Sequence, residues 1–234
     1  SWENENAYQL LDQDGNVIFS DGTNPATGVV FATNSNCTFL PVISGEISME
    51  RYIDPGATWW RHIGSAVQGA TLAQFNDDFA TSGYPGSLYP NFSFTSAYSF
   101  DETLNSYQGY VPPTSASQTL LPGEGWQIYC GDGMGTTNEF TFDLKGVPNQ
   151  GPIALPVSYT VTNTDGQDGW AMVSNPYPST IDWEDDDWTK TNMSAAIYIQ
   201  DPETQLYATY VSGATANGGS RYIASQQSFW VRAT

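Results

Sequence analysis

The length, composition and charge of this 234-residue chain exclude several classes of protein. A formal net charge of −19 repels nucleic acid and anionic membrane surfaces, and no run of 18 apolar residues occurs, so we expect neither nucleic-acid binding nor membrane insertion. Aromatic residues at 14% against charged residues at 13%, with 22 glycines and 14 prolines, are typical of short strands and tight turns. We therefore predict an all-β protein.

The first 44 residues are predicted to be strands that lead into a first unit. Tyr8–Leu11 and Val17–Phe19 read as a hairpin around the turn at 12–16, whose Asp-x-Asp-Gly-Asn pattern also resembles the start of a calcium loop. No bidentate acid in a helical setting follows, so the hairpin is favoured. Further strands are predicted at 28–33, 38–42 and 45–53.

The sequence from Trp170 onward has a degraded copy that begins at Trp60. Thr71-Leu72 matches Thr180-Ile181, Gln74-Phe75 matches Asp182-Trp183, and residues 120–128 lie over 223–231. At an offset of one hundred, the identical pairs are Tyr98 with Tyr198, Asp101 with Asp201, Tyr107 with Tyr207 and Tyr110 with Tyr210. The pattern predicts a tandem duplication of residues 45–131 as 169–234, with connecting strands at 132–168 and one continuous core. The alternative is two β-rich segments of similar composition.

The remaining elements follow the same scheme. Leu72, Phe75 and Phe79 fall at helical spacing after Thr71, an acceptable N-cap, and predict a short helix within 70–79. Hairpins are predicted at 97–110 and 197–210, with tyrosines stacked across facing strands, and two strands at 139–144 and 153–160. The predicted fold is an antiparallel β-sandwich or jelly-roll-like structure, built from two duplicated units with short helical turns in loops.

Catalytic chemistry finds little support in the sequence. His62 is the only histidine, which excludes sites with two imidazoles, and no nucleophile elbow accompanies it for a Ser-His-Asp triad. A glycosidase would need two opposed carboxylates, and the only dense candidates are consecutive acids on one loop, which point in divergent directions. We therefore expect that the chain is not an enzyme.

Loops carry the candidate binding residues, because long loops in compact β domains are where binding concentrates. The candidate ligand-binding rings are Tyr84, Tyr89, Tyr177, Trp183 and Trp188. The candidate calcium ligands are Asp182, Glu184, Asp185, Asp186 and Asp187, for which a solvated acidic turn is the alternative; no other cofactor is expected. Cys37 and Cys130 could form a disulfide in an oxidising compartment or remain two buried thiols.

The run from Gly169 to Trp183, with its Asn-Pro-Tyr-Pro core at 175–178, resembles a module of large secreted Bacteroidetes proteins that end in a type IX secretion sorting domain. The resemblance spans about residues 45–234. Two departures occur: Ser225-Gln226 stands where Pro-Gly is expected, and the sorting domain is absent. The resemblance implies a secreted protein at the outer cell surface and carries no catalytic residues. The polar start without an initiator Met fits a mature fragment of a longer precursor.

Two classes of function follow from these observations. The first is a non-catalytic extracellular module for adhesion or self-assembly, whose partners are other surface proteins, copies of itself or extracellular glycans. A carbohydrate-binding module that uses exposed aromatic rings is a variant of it. The second class is a glycosidase-type enzyme that uses loop carboxylates, which the arguments above disfavour.

Overall fold

A computed structural model of the protein describes residues 8–11, 17–21, 42–104, 109–131, 136–161 and 168–234. These residues are nearly all β, their strands pair antiparallel, and the arrangement is sandwich-like, which confirms the predicted fold class. The predicted turn at 12–16, the strand at 28–33, most of the strand at 38–42, Cys37 and Tyr107 lie outside the described residues. The pairing of Cys37 with Cys130 therefore stays a prediction.

The strands, in chain order, have the following bounds. The first nine are β1 Tyr8–Leu11, β2 Val17–Asp21, β3 Ile47–Ile53, β4 Gly56–Ala57, β5 Trp59–Ile63, β6 Val67–Gln68, β7 Ala97–Phe100, β8 Tyr110–Val111 and β9 Trp126–Cys130. The others are β10 Thr136–Thr137, β11 Phe140–Pro148, β12 Trp170–Ser174, β13 Ile181–Asp182, β14 Ala196–Gln200, β15 Tyr207–Val211, β16 Ala214–Ala216, β17 Tyr222–Ile223 and β18 Ser228–Arg232. A 3-10 helix spans Leu72–Asp77.

Two sheets enclose the first hydrophobic core. One has the order β5-β9-β7-β8 and the other β3-β11-β6. Trp126 and Ile128 of β9 and Phe142 and Leu144 of β11 alternate with less buried residues and fill the space between the sheets. Because β11 pairs with β3 over seven residues, this strand belongs to the first unit and is not merely a connection.

The second core lies under a five-stranded sheet of order β12-β18-β14-β15-β16. Val173, Ile197 and Phe229 project from that sheet onto Trp183 and Ile223, which come from the small β13-β17 pair and the turn after it. The two units therefore have separate cores, and the prediction of one continuous core was wrong.

The two main sheets share their strand order and register. β5, β9, β7 and β8 correspond in order to β12, β18, β14 and β15. Trp60 lies opposite Tyr129 as Trp170 lies opposite Arg232, so β5 matches β12 at an offset of 110 residues and β9 matches β18 at an offset of 103. This shared register favours the duplication, which stays a prediction about the history of the chain.

The structure corrects two of the sequence matches. Phe100 lies opposite Tyr110, whereas Gln200 lies opposite Tyr207, so Tyr110 occupies the place of Tyr207 and not of Tyr210. The first turn is longer by three residues, which displaces the match. In the same way, Leu72 N donates to Gln118 O where Trp183 N donates to Arg221 O, so residues 71–72 correspond to 182–183 rather than to 180–181.

Two predicted elements also differ. The helix within 70–79 is a 3-10 helix, and Thr71 occupies its N-cap position without a side-chain hydrogen bond. The strand predicted at 153–160 was wrong: residues 152–161 form no strand. Pro152 and Pro156 have no N–H to donate to a ladder, and Leu155 and Val157 instead pack against the second core.

Reciprocal backbone pairing joins the two units. Ile63 at the end of β5 bridges to Gln227 of the second unit, and Val173 in β12 bridges to Glu124 of the first. Two hydrogen bonds of 2.9 Å continue the pairing, from Gly64 N to Gln226 O and from Ser174 N to Gly123 O. Each unit thus extends one edge of the other. We call this pair of contacts the reciprocal joint.

Aromatic rings fill the space between the main sheets beside the reciprocal joint. Trp230 of β18 lies 4.7 Å from Phe100 and 6.3 Å from Tyr110, measured between ring centroids. Its ring is also 6.2 Å from that of His62. Rings from the first predicted hairpin therefore pack against Trp230 of the second unit and help to hold the units together.

The reciprocal joint leaves no room for a side chain at position 64. A Cβ there would overlap Ser174 and approach Glu124 O. We predict that Gly64→Ala lowers the free energy of unfolding by about 2 kcal/mol, as overpacking does in a closed interior. Gly56→Ala is the control, since a Cβ at that position meets no atom within 4 Å. Chemical denaturation measures both, and equal stability of the two variants would contradict the joint.

A buried carboxylate fastens the segment that runs between the units. Glu102, in the turn after β7, accepts hydrogen bonds from Thr160 N (2.6 Å), Ser158 Oγ (2.8 Å) and Gly169 N (3.0 Å). Burial raises the pKa of the Glu102 carboxyl, but these hydrogen bonds outweigh it and hold that pKa below its usual value. The folded state therefore stabilises the charged carboxylate of Glu102.

Because the pKa of Glu102 is lowered by folding, its contribution to stability is present above the pKa of an unfolded glutamate, about 4.3, and is lost as the pH falls through the folded value. We predict that Glu102→Gln costs about 1–3 kcal/mol at pH 7 and progressively less below about pH 4. Urea unfolding at several pH values measures this. Glu203→Gln, at an exposed turn position, is the control, and a cost for Glu102→Gln that does not change with pH would contradict the role.

Candidate binding surface

The acidic turn after β13 carries its own counter-ion. Arg221 donates from Nε to Asp182 Oδ1 at 2.6 Å and from Nη2 to Asp182 Oδ2, and its Nη1 lies 3.0 Å from Glu184 Oε2. The hydrogen bonds from Arg221 hold the pKa of the Asp182 carboxyl below its usual value, against the opposing effect of burial. Two of the five candidate calcium ligands are thus paired with a guanidinium.

The other three candidate calcium ligands, Asp185, Asp186 and Asp187, are exposed. Asp185 Oδ1 accepts a hydrogen bond from Asp187 N at 2.9 Å, which closes a turn. Among the residues that the structure describes, no group of three or more histidine, cysteine or acidic side chains is arranged to hold a metal ion. Calcium at this turn stays a prediction.

Two of the five candidate ligand-binding rings are buried. Trp183 is 2% exposed, donates from Nε1 to Ala195 O at 3.0 Å and belongs to the second core. Tyr84 is also 2% exposed and belongs to the first core. Neither can offer a ring face to a ligand at the surface. The burial of both rings depends on strand and turn geometry, which the spacing of residues in the sequence does not show.

The other three candidate rings differ in exposure. Trp188 is half-buried and donates from Nε1 to Asp182 O at 2.7 Å. Tyr177 is half-buried as well, and its hydroxyl donates to Gly151 O at 2.7 Å. Tyr89 is 59% exposed. The structure therefore does not bring the five rings together in one site.

Tyr89 belongs instead to a loop at 83–95, which we call the aromatic loop. Besides Tyr89, this loop exposes Phe92 (61%), Phe94 (38%) and Leu88. Tyr84 and Tyr89 of this loop are candidates predicted from the sequence, whereas Phe92 and Phe94 are not. The signal was present, because no charged residue lies between Asp78 and Asp101 in a chain with 25 acidic residues.

Hydrogen bonds to its own stem fix the aromatic loop. Tyr89 N donates to Thr81 O at 3.0 Å, and Gly83 N donates back to Tyr89 O at 3.1 Å. Ser82 Oγ donates to Phe94 O at 2.8 Å. Gly83 has a φ of +82°, and a Cβ at this position would collide with the backbone at Phe94, so this turn requires glycine.

One end of the aromatic loop rests on rings of the first main sheet. Phe94 lies 5.0 Å from Tyr129 in an edge-to-face arrangement and 5.5 Å from Trp60. Trp60 also contacts Tyr98 at 5.8 Å. These neighbours hold the orientation of Phe94 and join it to a half-buried aromatic surface on the sheet, so Phe94 is in place before any ligand binds.

The lone histidine is buried inside the protein. His62 is 2% exposed, and neither ring nitrogen has a hydrogen-bond partner among the described residues. Burial lowers the pKa of its imidazole to about 4. Cys130 is likewise buried, in β9, and its Sγ lies 3.7 Å from Ile128 O. Neither side chain reaches the surface where a substrate could meet it.

Fold and surface together define an all-β, sandwich-like protein with an exposed, uncharged aromatic loop. The chain belongs to a family described as a domain of unknown function (DUF8693), which matches residues 81–234. No similar curated protein and no similar solved structure was found. Within the described residues, no helix has the length and apolar character needed to cross a membrane.

The pairing of Arg221 with the acidic turn affects whether calcium would stabilise the protein. Since Asp182 and Glu184 already have a cationic partner, we expect millimolar calcium or excess chelator to leave the thermal unfolding temperature unchanged. Thermal melts followed by circular dichroism, with and without each reagent, measure this. A rise in that temperature that saturates with calcium, and that Asp185→Asn abolishes, would instead establish a calcium site.

Proposed function

We propose that this chain is a non-catalytic extracellular module for adhesion, part of a secreted protein at the bacterial cell surface. The observation that carries the proposal is the aromatic loop, which presents Tyr89, Phe92 and Phe94 to solvent on a hydrogen-bonded support. Exposed apolar patches on soluble proteins commonly mark interaction sites. The same loop contains no carboxylate, imidazole, thiol or amine side chain.

The placement of the ionisable groups also supports a non-catalytic role. A retaining or inverting glycosidase needs two carboxylates on opposite sides of a substrate. Asp182 and Glu184 instead share Arg221, and His62 is buried between the units. Asp78 is the exception among these groups, because burial and the nearby Asp143 and Asp77 raise its pKa to about 6.

Self-assembly is a second candidate, favoured by one edge of the second sheet. Among the strands that the structure describes, β16 pairs only with β15, and its residues Ala214, Thr215 and Ala216 are all exposed. It contains no charged residue and no proline, which are the usual protection against pairing with another strand. The net charge of −19 opposes association of two copies at low salt, so added salt would strengthen such contacts.

One pair of measurements tests both candidates. Beads coated with the chain are expected to be retained on bacterial or plant cell surfaces, and retention should fall at least tenfold for the double variant Tyr89→Ser/Phe92→Ser. Sedimentation velocity in 0.05–0.5 M salt tests self-association, with Thr215→Lys as the edge variant and Thr141→Lys, on an exposed strand position of the first unit, as its control.

Three results would decide against these proposals. If beads are not retained on any surface and the chain stays monomeric at all salt concentrations, both candidates are wrong. If association occurs but Thr215→Lys and Thr141→Lys weaken it equally, the β16 edge is not the contact. Release of new reducing ends from polysaccharides incubated with the pure chain would contradict a non-catalytic role.

A further inference from the structure

The chemistry of the aromatic loop indicates which ligand it would take. Tyr89 and Phe92 make no ring contact with another aromatic side chain in the described part of the protein, so their faces are available. Aromatic faces bind apolar C–H surfaces, and such rings with a few polar groups beside them are typical of sites for small organic ligands. The C–H face of a pyranose ring matches this surface.

Polar groups of the right kind flank the rings. Asn91 and Ser93 stand on either side of Phe92, and both are exposed. Neither side chain makes a hydrogen bond within the described residues, so an amide and a hydroxyl remain available to a ligand. Both groups donate and accept, which suits sugar hydroxyls, since these also do both.

Charge selects among glycans and other partners. The 22 residues between Asp78 and Asp101 contain no acid and no base, while the whole chain carries −19. No cation is present on the loop to pair with an acidic polysaccharide or an anionic lipid, and the long-range field repels both. A second copy of the chain would bring the same repulsion. A neutral ligand is the one that the electrostatics permit.

We propose that the aromatic loop is a binding site for neutral polysaccharide, in which Tyr89 and Phe92 stack on sugar rings and Asn91 and Ser93 bond their hydroxyls. This proposal rests on the proposed adhesive function and names its ligand class. Phe94, held by Trp60 and Tyr129, forms the end of the stacking surface that continues onto the first main sheet. Rings spread along an open loop suit an extended chain of sugars.

Affinity electrophoresis tests the proposal directly. The full chain is run in native gels that contain laminarin, mannan, xyloglucan or amylose, with polygalacturonate as the acidic comparison. We expect retardation by at least one of the neutral polymers and none by polygalacturonate. The double variant Tyr89→Ser/Phe92→Ser should bind at least tenfold more weakly, and Asn91→Ala several-fold more weakly. Both aromatic side chains are exposed, so neither truncation opens the core.

The matched control is Tyr159→Ser, which removes an exposed tyrosine from the segment at 152–161. Circular dichroism melts of each variant report whether the fold is kept. Equal loss of binding in the double variant and in Tyr159→Ser would overturn the location of the site. Retardation by polygalacturonate alone would overturn the ligand class. Bead retention on cells without retardation by any polymer would overturn this inference while leaving the adhesive function in place.

Discussion

Reciprocal backbone pairing between the two units is the constraint on which the rest of the structure depends. Each unit has its own core, and neither core is large. The bridges Ile63 to Gln227 and Val173 to Glu124 make each unit supply backbone partners to an edge of the other. The bridges cover the end of β5 at Ile63 and the end of β12 at Val173, and the rings around Trp230 fill the space beside the joint. The strand order of the two sheets places β5 and β12 at the edges, where Ile63 and Val173 can form the joint.

Local hydrogen bonds supplement the few ion pairs of this acidic chain, which has only six basic residues for 25 acids. Asp101, Asp182, Asp185 and Asp201 each accept a hydrogen bond from the backbone N–H two residues further on. Such turns satisfy the carboxylate and fix the direction of the loop at once. They account for the acidic turns without a metal ion, and they leave the uncharged aromatic loop as a distinct region of the surface.

The sequence predicted what depends on local pattern. The strand predicted at 45–53 contains β3, and the repeat identified the matching hairpins, because strand period and aromatic spacing depend on residues close together in the chain. It missed what depends on distant contacts. The three-residue shift at Tyr110 follows from a turn length, the segment at 152–161 follows from Pro156 and from Glu102, and the burial of Trp183 follows from packing across the second unit. Tyr89 of the aromatic loop was predicted as a candidate, but Phe92 and Phe94 were not, because their exposure depends on how the loop is hydrogen-bonded to its stem.

The reciprocal joint has a consequence for how the protein can be divided. The family match begins at residue 81, after β5, although β5 pairs with β9 along its length and carries Ile63. A polypeptide that started at the family boundary would expose the open side of β9 and would lose one of the two bridges that connect the halves. A fragment that folds on its own therefore has to include β5, and it has to include β3 as well, because β11 pairs with β3 over seven residues.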